Sequence, residues 1–167
     1  MTNLPATSTQ DCSDRALLRH TVATLAYRGS KALRDAPADF SGFTPGGEGR
    51  SAGGILTHIG DLLDWALSMA SGESQWHTSK SQAWNEDVDR FHAALVAFDA
   101  YLASDQPLHA SSEKLFQGPI ADALTHVGQI AMMRRLAGAP IKGENYAVAR
   151  ITAGRVGVDQ ASAKREF

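Results

Sequence analysis

The most informative pattern in the sequence is a mixed polar stripe that begins with an aspartate and a histidine one helical turn apart. Asp122 precedes His126 by four residues, and Gln129 and Met133 follow at steps of three and four. Residues at these spacings project from one face of a helix on successive turns. A carboxylate and an imidazole beside an apolar face are costly unless they pair or bind a metal ion. The stripe therefore indicates two metal ligands, with Gln129 and Met133 beside them.

A third candidate ligand lies on another predicted helix. His58 precedes Leu62 by four residues and Trp65 by seven, so it points toward or beside the core. A pair at i and i+4 plus one ligand from a facing helix is a common way to build a metal site in a helical bundle. Two imidazoles and a carboxylate suit a divalent transition ion such as zinc, nickel or iron, and three protein ligands leave a position open for water or substrate.

Two simpler interpretations of the stripe stay open at the level of sequence. Asp122 falls in the first turn of its predicted helix, where the helix dipole favours a carboxylate without any metal. His126 can equally be a core histidine that is hydrogen-bonded to that aspartate.

Four segments with helical periodicity must position these side chains. The third has the most regular apolar stripe, with alternating steps of four and three from Trp84 to Leu102. Gly72 and Gly138 suit helix ends, and Pro119 suits a helix start. The predicted helices span Ser13–Leu33, Ala52–Ala70, Ser81–Ala103 and Pro119–Ala137.

The segments between the helices predict the domain organisation. Asp35–Gly54 and Ser104–Gln117 are long irregular connections, and Ile141–Phe167 is an irregular extension with a short helix near Tyr146. Cap-type side chains at 11, 13 and 14 mark the start of the first helix. We expect an all-α fold, an antiparallel four-helix bundle over about 12–140 with a C-terminal extension over about 141–167, as one domain over 1–167.

Bulk composition excludes several classes of protein. Hydrophobic residues make up 43% of the 167 residues. The formal net charge is −2, so the chain lacks the excess of positive charge that is typical of nucleic-acid-binding proteins. No apolar run is long enough to span a membrane, and Met1–Asp11 lacks the features of a signal peptide. The single cysteine, Cys12, fits a reducing compartment. These features predict a cytoplasmic protein without nucleic-acid or membrane partners.

The segments around His58 and His126 resemble the DinB/YfiT-like family. In that family the second helix carries a histidine, and the last bundle helix carries a His-x3-His pair that runs into His-Arg-Gly-Gln; the equivalent stretch here is His126-Val127-Gly128-Gln129. The resemblance implies that His58, Asp122 and His126 hold the metal. Asp122 departs from the all-histidine pattern, although relatives that isomerise maleylpyruvate use a glutamate there, which is one methylene longer.

The resemblance implies a function and a partner. It suggests a metal-dependent S-transferase or isomerase that uses a low-molecular-weight thiol on a small molecule, and a homodimer. Gln129 would then orient a ligand, and Trp65 and Met133 would line the pocket. The alternative is a non-catalytic stress-associated dimer, or a small-molecule-binding module, whose metal site has degraded into a hydrogen-bond network.

Other polar and aromatic residues have ordinary interpretations. The three tryptophans are expected in the core or at its rim, and Cys12 is expected to have no role in chemistry. Arg134 and Arg135 are expected to be solvated charges at a helix end, where cations are favourable. Surface positions are expected for His77, His92 and His109.

Overall fold

The computed structural model describes residues 9–167, with side chains from Asp11 onward, and this part of the chain is all-helical. The predicted all-α class is therefore confirmed. Residues 9–167 contain no β-strand, only an isolated antiparallel bridge between Glu144 and Glu166. The helices are α1 (Thr9–Leu33), α2 (Ala52–Ser71), α3 (Trp84–Ala103), α4 (Ser112–Leu115) and α5 (Ala121–Leu136), with a π-helical segment at Phe116–Ile120 and 3₁₀ turns at Phe40–Gly42 and Tyr146–Val148.

The four long helices pack side by side in a bundle-like arrangement. α1 and α2 each pack against both α3 and α5. Consequently α1 lies diagonally across from α2, and α3 lies diagonally across from α5. The connection from α1 to α2 must cross the end of the bundle, which accounts for its length. This order places α2, which carries His58, directly beside α5, which carries Asp122 and His126.

The predicted apolar stripes form the core. Phe91, Leu95 and Phe98 of α3 are fully buried. Gly29 of α1 lies against Phe91, and a Cβ atom at this glycine would stand 2.4 Å from the Phe91 ring. A side chain there would push the two helices apart, so glycine allows their close approach. Other core positions on the first three helices include Leu18, Val22, Leu25, Ile55, Ile59, Leu62, Leu63 and Leu102.

Helix boundaries agree closely with the sequence prediction at the C-terminal ends and differ at three of the four starts. Gly72 and Gly138 have left-handed backbones, with φ of 94° and 77°, as predicted for residues that end helices. α3 starts at Trp84 rather than Ser81. The predicted caps at 11, 13 and 14 lie inside α1, which already includes Thr9. The prediction about the N-terminus, Met1–Asp11, falls largely outside the described residues.

The predicted start of the last helix at Gly118-Pro119 is wrong. α4, the π segment and α5 follow one another without a break, and Pro119 is buried inside the π segment. Proline cannot donate a backbone hydrogen bond and its ring crowds the preceding turn, so it normally interrupts an α-helix. The wider π turn accommodates it. The predicted connection Ser104–Gln117 is correspondingly shorter.

The C-terminal extension packs on α1 through buried polar contacts. The side chain of Glu144 is fully buried and accepts hydrogen bonds from Tyr27 Oη at 2.6 Å and Lys31 Nζ at 2.7 Å. Burial, followed by this hydrogen bond to Glu144, raises the pKa of Tyr27 to about 12. The predicted short helix near Tyr146 is present as a 3₁₀ turn. Val156 enters the core, so the extension is part of the folded unit.

Two residues that were expected at the surface are buried. Arg134 is 5% exposed, and its guanidinium donates to the backbone carbonyls of Ala32, Arg34, Asp35 and Ala139. It therefore ties the end of α1 to the end of α5. His92 is 7% exposed, because the C-terminal extension covers that side of α3. Of the three histidines that were expected at the surface, the other two, His77 and His109, are exposed as predicted.

The helices of residues 9–167 include none with the length and apolar character that crossing a bilayer requires.

Candidate metal centre

The structure brings the three predicted ligands together between α2 and α5. Asp122 Oδ1 lies 3.4 Å from His126 Nε2, and Asp122 Oδ2 lies 3.9 Å from His58 Nε2. The two imidazole rings meet edge to face, with centroids 4.8 Å apart. One ligand atom from each residue lies within 4.8 Å of the others. The side chains of His58 and His126 are 15% and 12% exposed while that of Asp122 is 48% exposed, so the cluster opens to solvent on the aspartate side.

Gln129 determines how the His126 ring presents its nitrogens. Gln129 Oε1 lies 2.8 Å from His126 Nδ1. An amide oxygen only accepts hydrogen bonds, so this contact is a hydrogen bond when Nδ1 carries the proton. In the neutral ring Nε2 then has a free lone pair, and it faces the carboxylate of Asp122. Two acceptors at 3.4 Å repel each other unless a proton or a cation lies between them. The sequence placed Gln129 beside His126, and the structure shows the contact that gives it a role.

The backbone before Asp122 weakens the interpretation of this residue as a simple helix-start carboxylate. The π segment runs directly into α5, and the N–H of Ala121 already donates to the carbonyls of Phe116 and Gly118. The first N–H groups of α5 are therefore not all unpaired, as they are at a free helix start. The helix dipole therefore explains a carboxylate at Asp122 less well than it would at a free helix start.

His58 lies in surroundings that keep its ring neutral. Burial lowers the pKa of His58 below its usual value, and the positive charge of Arg50 and the nearby His126 lower it further; Asp122 and Asp61 partly offset this. A neutral imidazole is the form that binds a metal ion. The side of the His58 ring is covered by Trp76, whose ring meets it edge to face at 5.6 Å.

Two tryptophans, Trp65 and Trp76, lie near the site, and Trp76 rather than Trp65 contacts His58. Trp76 comes from the segment between α2 and α3 and packs between His58 and Trp65, with its centroid 5.8 Å from that of Trp65. Trp65, which was expected to line the pocket, contacts Trp76 and is not among the described residues that line the cavity beside His126. No signal in the sequence distinguished Trp76, because its segment has no periodicity that would orient it.

A cavity of about 470 Å³ lies beside His126. Its volume is within the range of small-molecule sites. Met133, which was expected beside the metal site, forms part of its wall, and Arg50 reaches it from the connection before α2. Arg50 was not among the predicted site residues, because a charge in a glycine-rich connection has no periodicity to place it. The remaining lining residues are Pro45, Gly49, Ile55, His126, Gln129, Met132 and Leu136.

The donor set fits a divalent transition ion. Ligand atoms around a tetrahedral ion with bonds of about 2.0 Å stand about 3.3 Å apart. One ligand atom from each of the three residues lies within 4.8 Å of the other two, so the side chains would turn inward to bind one ion together. One oxygen and two imidazole nitrogens are ligands that zinc, nickel and iron accept.

Comparison of the chain with models of known protein families, with curated proteins and with solved structures finds no match.

Proposed function

We propose that this chain binds a divalent transition ion between His58, Asp122 and His126, in a helical bundle of the DinB/YfiT-like type. One observation carries the proposal: His126 Nε2 faces a carboxylate oxygen of Asp122 at 3.4 Å, with Gln129 Oε1 2.8 Å from the other ring nitrogen. A cation between them would stabilise a ring nitrogen that lacks a proton together with the carboxylate.

A proton alone explains this arrangement less well than a metal ion does. A proton shared by His126 and Asp122 would join those two residues, but it would leave His58 Nε2 3.9 Å from the same carboxylate, too far for a hydrogen bond. A single divalent ion would instead bind one ligand atom from each of the three residues.

The proposed activity is thiol-dependent S-transfer or isomerisation of a small molecule, as in the family that the sequence resembles. When bound, a divalent ion with an open position lowers the pKa of a thiol or water there, so that it reacts near neutral pH. Gln129 holds the tautomer of His126, and the exposed side of Asp122 gives solvent and substrate access to the centre. Ile55 and Met133 provide apolar walls that exclude water from one side.

Metal content tests the proposal. Tag-free protein is purified without chelator and analysed by elemental mass spectrometry, next to His58→Ala, His126→Ala and the control His109→Ala, which changes an exposed histidine outside the cluster. We expect about one ion per chain in the wild type and in the control, and little in the other two variants. Circular dichroism verifies that each variant is folded. A wild type that takes up no zinc, nickel or iron, even when these are added, would favour the non-catalytic binding module.

A further inference from the structure

Among the residues that the structure describes, one charged residue lines the cavity beside His126, in a mainly apolar wall. Ile55, Met132, Met133 and Leu136 form much of that wall, and no acidic residue of 11–167 lines the cavity. Arg50 is the lining residue that carries a full charge at neutral pH. A wall of this kind disfavours a cationic guest, because it offers no carboxylate to pair with it.

Arg50 is available to a ligand. Within residues 11–167, no hydrogen bond or ion pair joins its guanidinium to another side chain or to the backbone, and the side chain is exposed. Its charge is nevertheless felt at the centre, because it helps to lower the pKa of His58. A guanidinium presents several donors in a planar fork that matches a carboxylate, sulfonate or phosphate.

The backbone before α2 holds Arg50 at the rim of the cavity. Arg50 immediately precedes Ser51, the N-cap of α2, whose hydroxyl accepts a hydrogen bond from the N–H of Gly54. The first turn of α2 contains no acidic residue. The start of this 20-residue helix therefore adds positive potential on the same side as the guanidinium.

We propose that this cavity binds a small organic anion, with its apolar body against Met132, Met133 and Leu136 and its anionic group on Arg50. The inference rests on the proposed function, because the cavity becomes a substrate site through the metal centre that shares His126 with it. Methionine side chains adapt to ligands of different shapes, so this wall selects for apolar ligands rather than for one particular ligand shape. Arg50 supplies the selection for negative charge.

Two fluorescent probes that differ in one charged group test this assignment. Anilinonaphthalene sulfonate has an apolar body and one sulfonate, and N-phenylnaphthylamine has a similar body without it. We expect the full-length wild type to bind the sulfonate more tightly. Arg50→Gln should weaken sulfonate binding by about tenfold, the usual effect of losing a charge-assisted contact, and leave the neutral probe unchanged.

Two further variants locate the binding. Arg135→Gln is the matched control, since Arg135 is an exposed cation on α5 that does not line the cavity; it should leave both affinities unchanged. Met132→Glu places a negative charge in the wall at a side chain that is 56% exposed, so the fold is retained. It should weaken both probes, and the sulfonate more.

The metal content of each preparation separates this inference from the proposed function. Equal binding of both probes, no binding of either, or sulfonate binding that is insensitive to Arg50→Gln or Met132→Glu would overturn the inference, even in protein that holds one ion per chain. Conversely, protein that takes up no zinc, nickel or iron when these are added, but still shows the Arg50-dependent preference, would keep the anion site and reject the proposed function.

Discussion

The side-chain amide of Gln129 and the ring of His126 form a fixed pair, with Gln129 Oε1 2.8 Å from His126 Nδ1. The two residues are three apart on α5, so the contact comes from helix geometry and needs no other element. Its consequence is tertiary, because it directs His126 Nε2 toward Asp122 and the neighbouring helix. The first prediction tests this relationship directly.

Replacing Gln129 with methionine should weaken metal binding by about tenfold to a hundredfold, the usual cost of losing the hydrogen bond that orients a metal-bound histidine. Methionine has a similar length but does not accept the proton of Nδ1. Affinity is measured by competition with a chromophoric chelator. Gln129→Glu should retain most of the affinity, because a carboxylate accepts the same bond. Gln117→Met, at an exposed position, is the control. Unchanged affinity in Gln129→Met would reject the positioning role.

Asp122 should respond differently to changes of charge and of length. Asp122→Asn removes the negative charge and should lower metal affinity by at least about tenfold, since a carboxylate is the stronger ligand. Asp122→Glu adds one methylene across the 3.9 Å gap to His58 and should keep or raise the affinity. Titration calorimetry with zinc measures both, and Asp105→Asn is the control at an exposed residue. Loss of affinity in Asp122→Glu that equals the loss in Asp122→Asn would contradict a carboxylate ligand.

The neighbouring arginines 134 and 135 should differ strongly in their contribution to stability. Arg134→Met removes a buried guanidinium that donates to four carbonyls and should lower the free energy of unfolding by about 3 kcal/mol. Arg135→Met changes an exposed side chain and should alter it by less than about 0.5 kcal/mol. Urea denaturation followed by circular dichroism measures both. Equal effects of the two changes would show that the carbonyl contacts contribute little.

Stability should fall as the solution is acidified, partly because of His92. Burial lowers the pKa of this histidine below its usual value of about 6.5. The unfolded chain therefore binds more protons than the folded chain at a pH between the two pKa values, so stability rises with pH there and decreases as pH falls below about 6.5.

Urea denaturation at several pH values from about 7.5 down to about 5.5 checks this sign. His92→Gln should make the loss of stability on acidification smaller than in the wild type, whereas His109→Gln, at an exposed histidine, should not. Part of the slope should remain in His92→Gln, because the pKa of His58 is lowered as well. If the dependence of stability on pH is the same in His92→Gln as in the wild type, the pKa of His92 does not differ between the folded and the unfolded chain.

The helices could be predicted because their signals are local. The steps of three and four among Phe91, Leu95 and Phe98 require one face of α3 to be buried, whatever covers it. The glycines at 72 and 138 mark helix ends by their own backbone freedom. The π segment was missed because Pro119 normally starts a helix, and the tertiary contacts that hold it inside one are not visible in the sequence.

The identities and spacing of Asp122, His126 and Gln129 were determined by the sequence, since residues three and four apart on a helix face the same way in any fold. Tertiary structure decided which helix faces them. Because α2 packs beside α5, His58 completes the cluster and Arg50 reaches the adjoining cavity. The burial of His92 and Arg134 was decided in the same way, because burial depends on which distant segment covers a residue, and no local pattern contains that information.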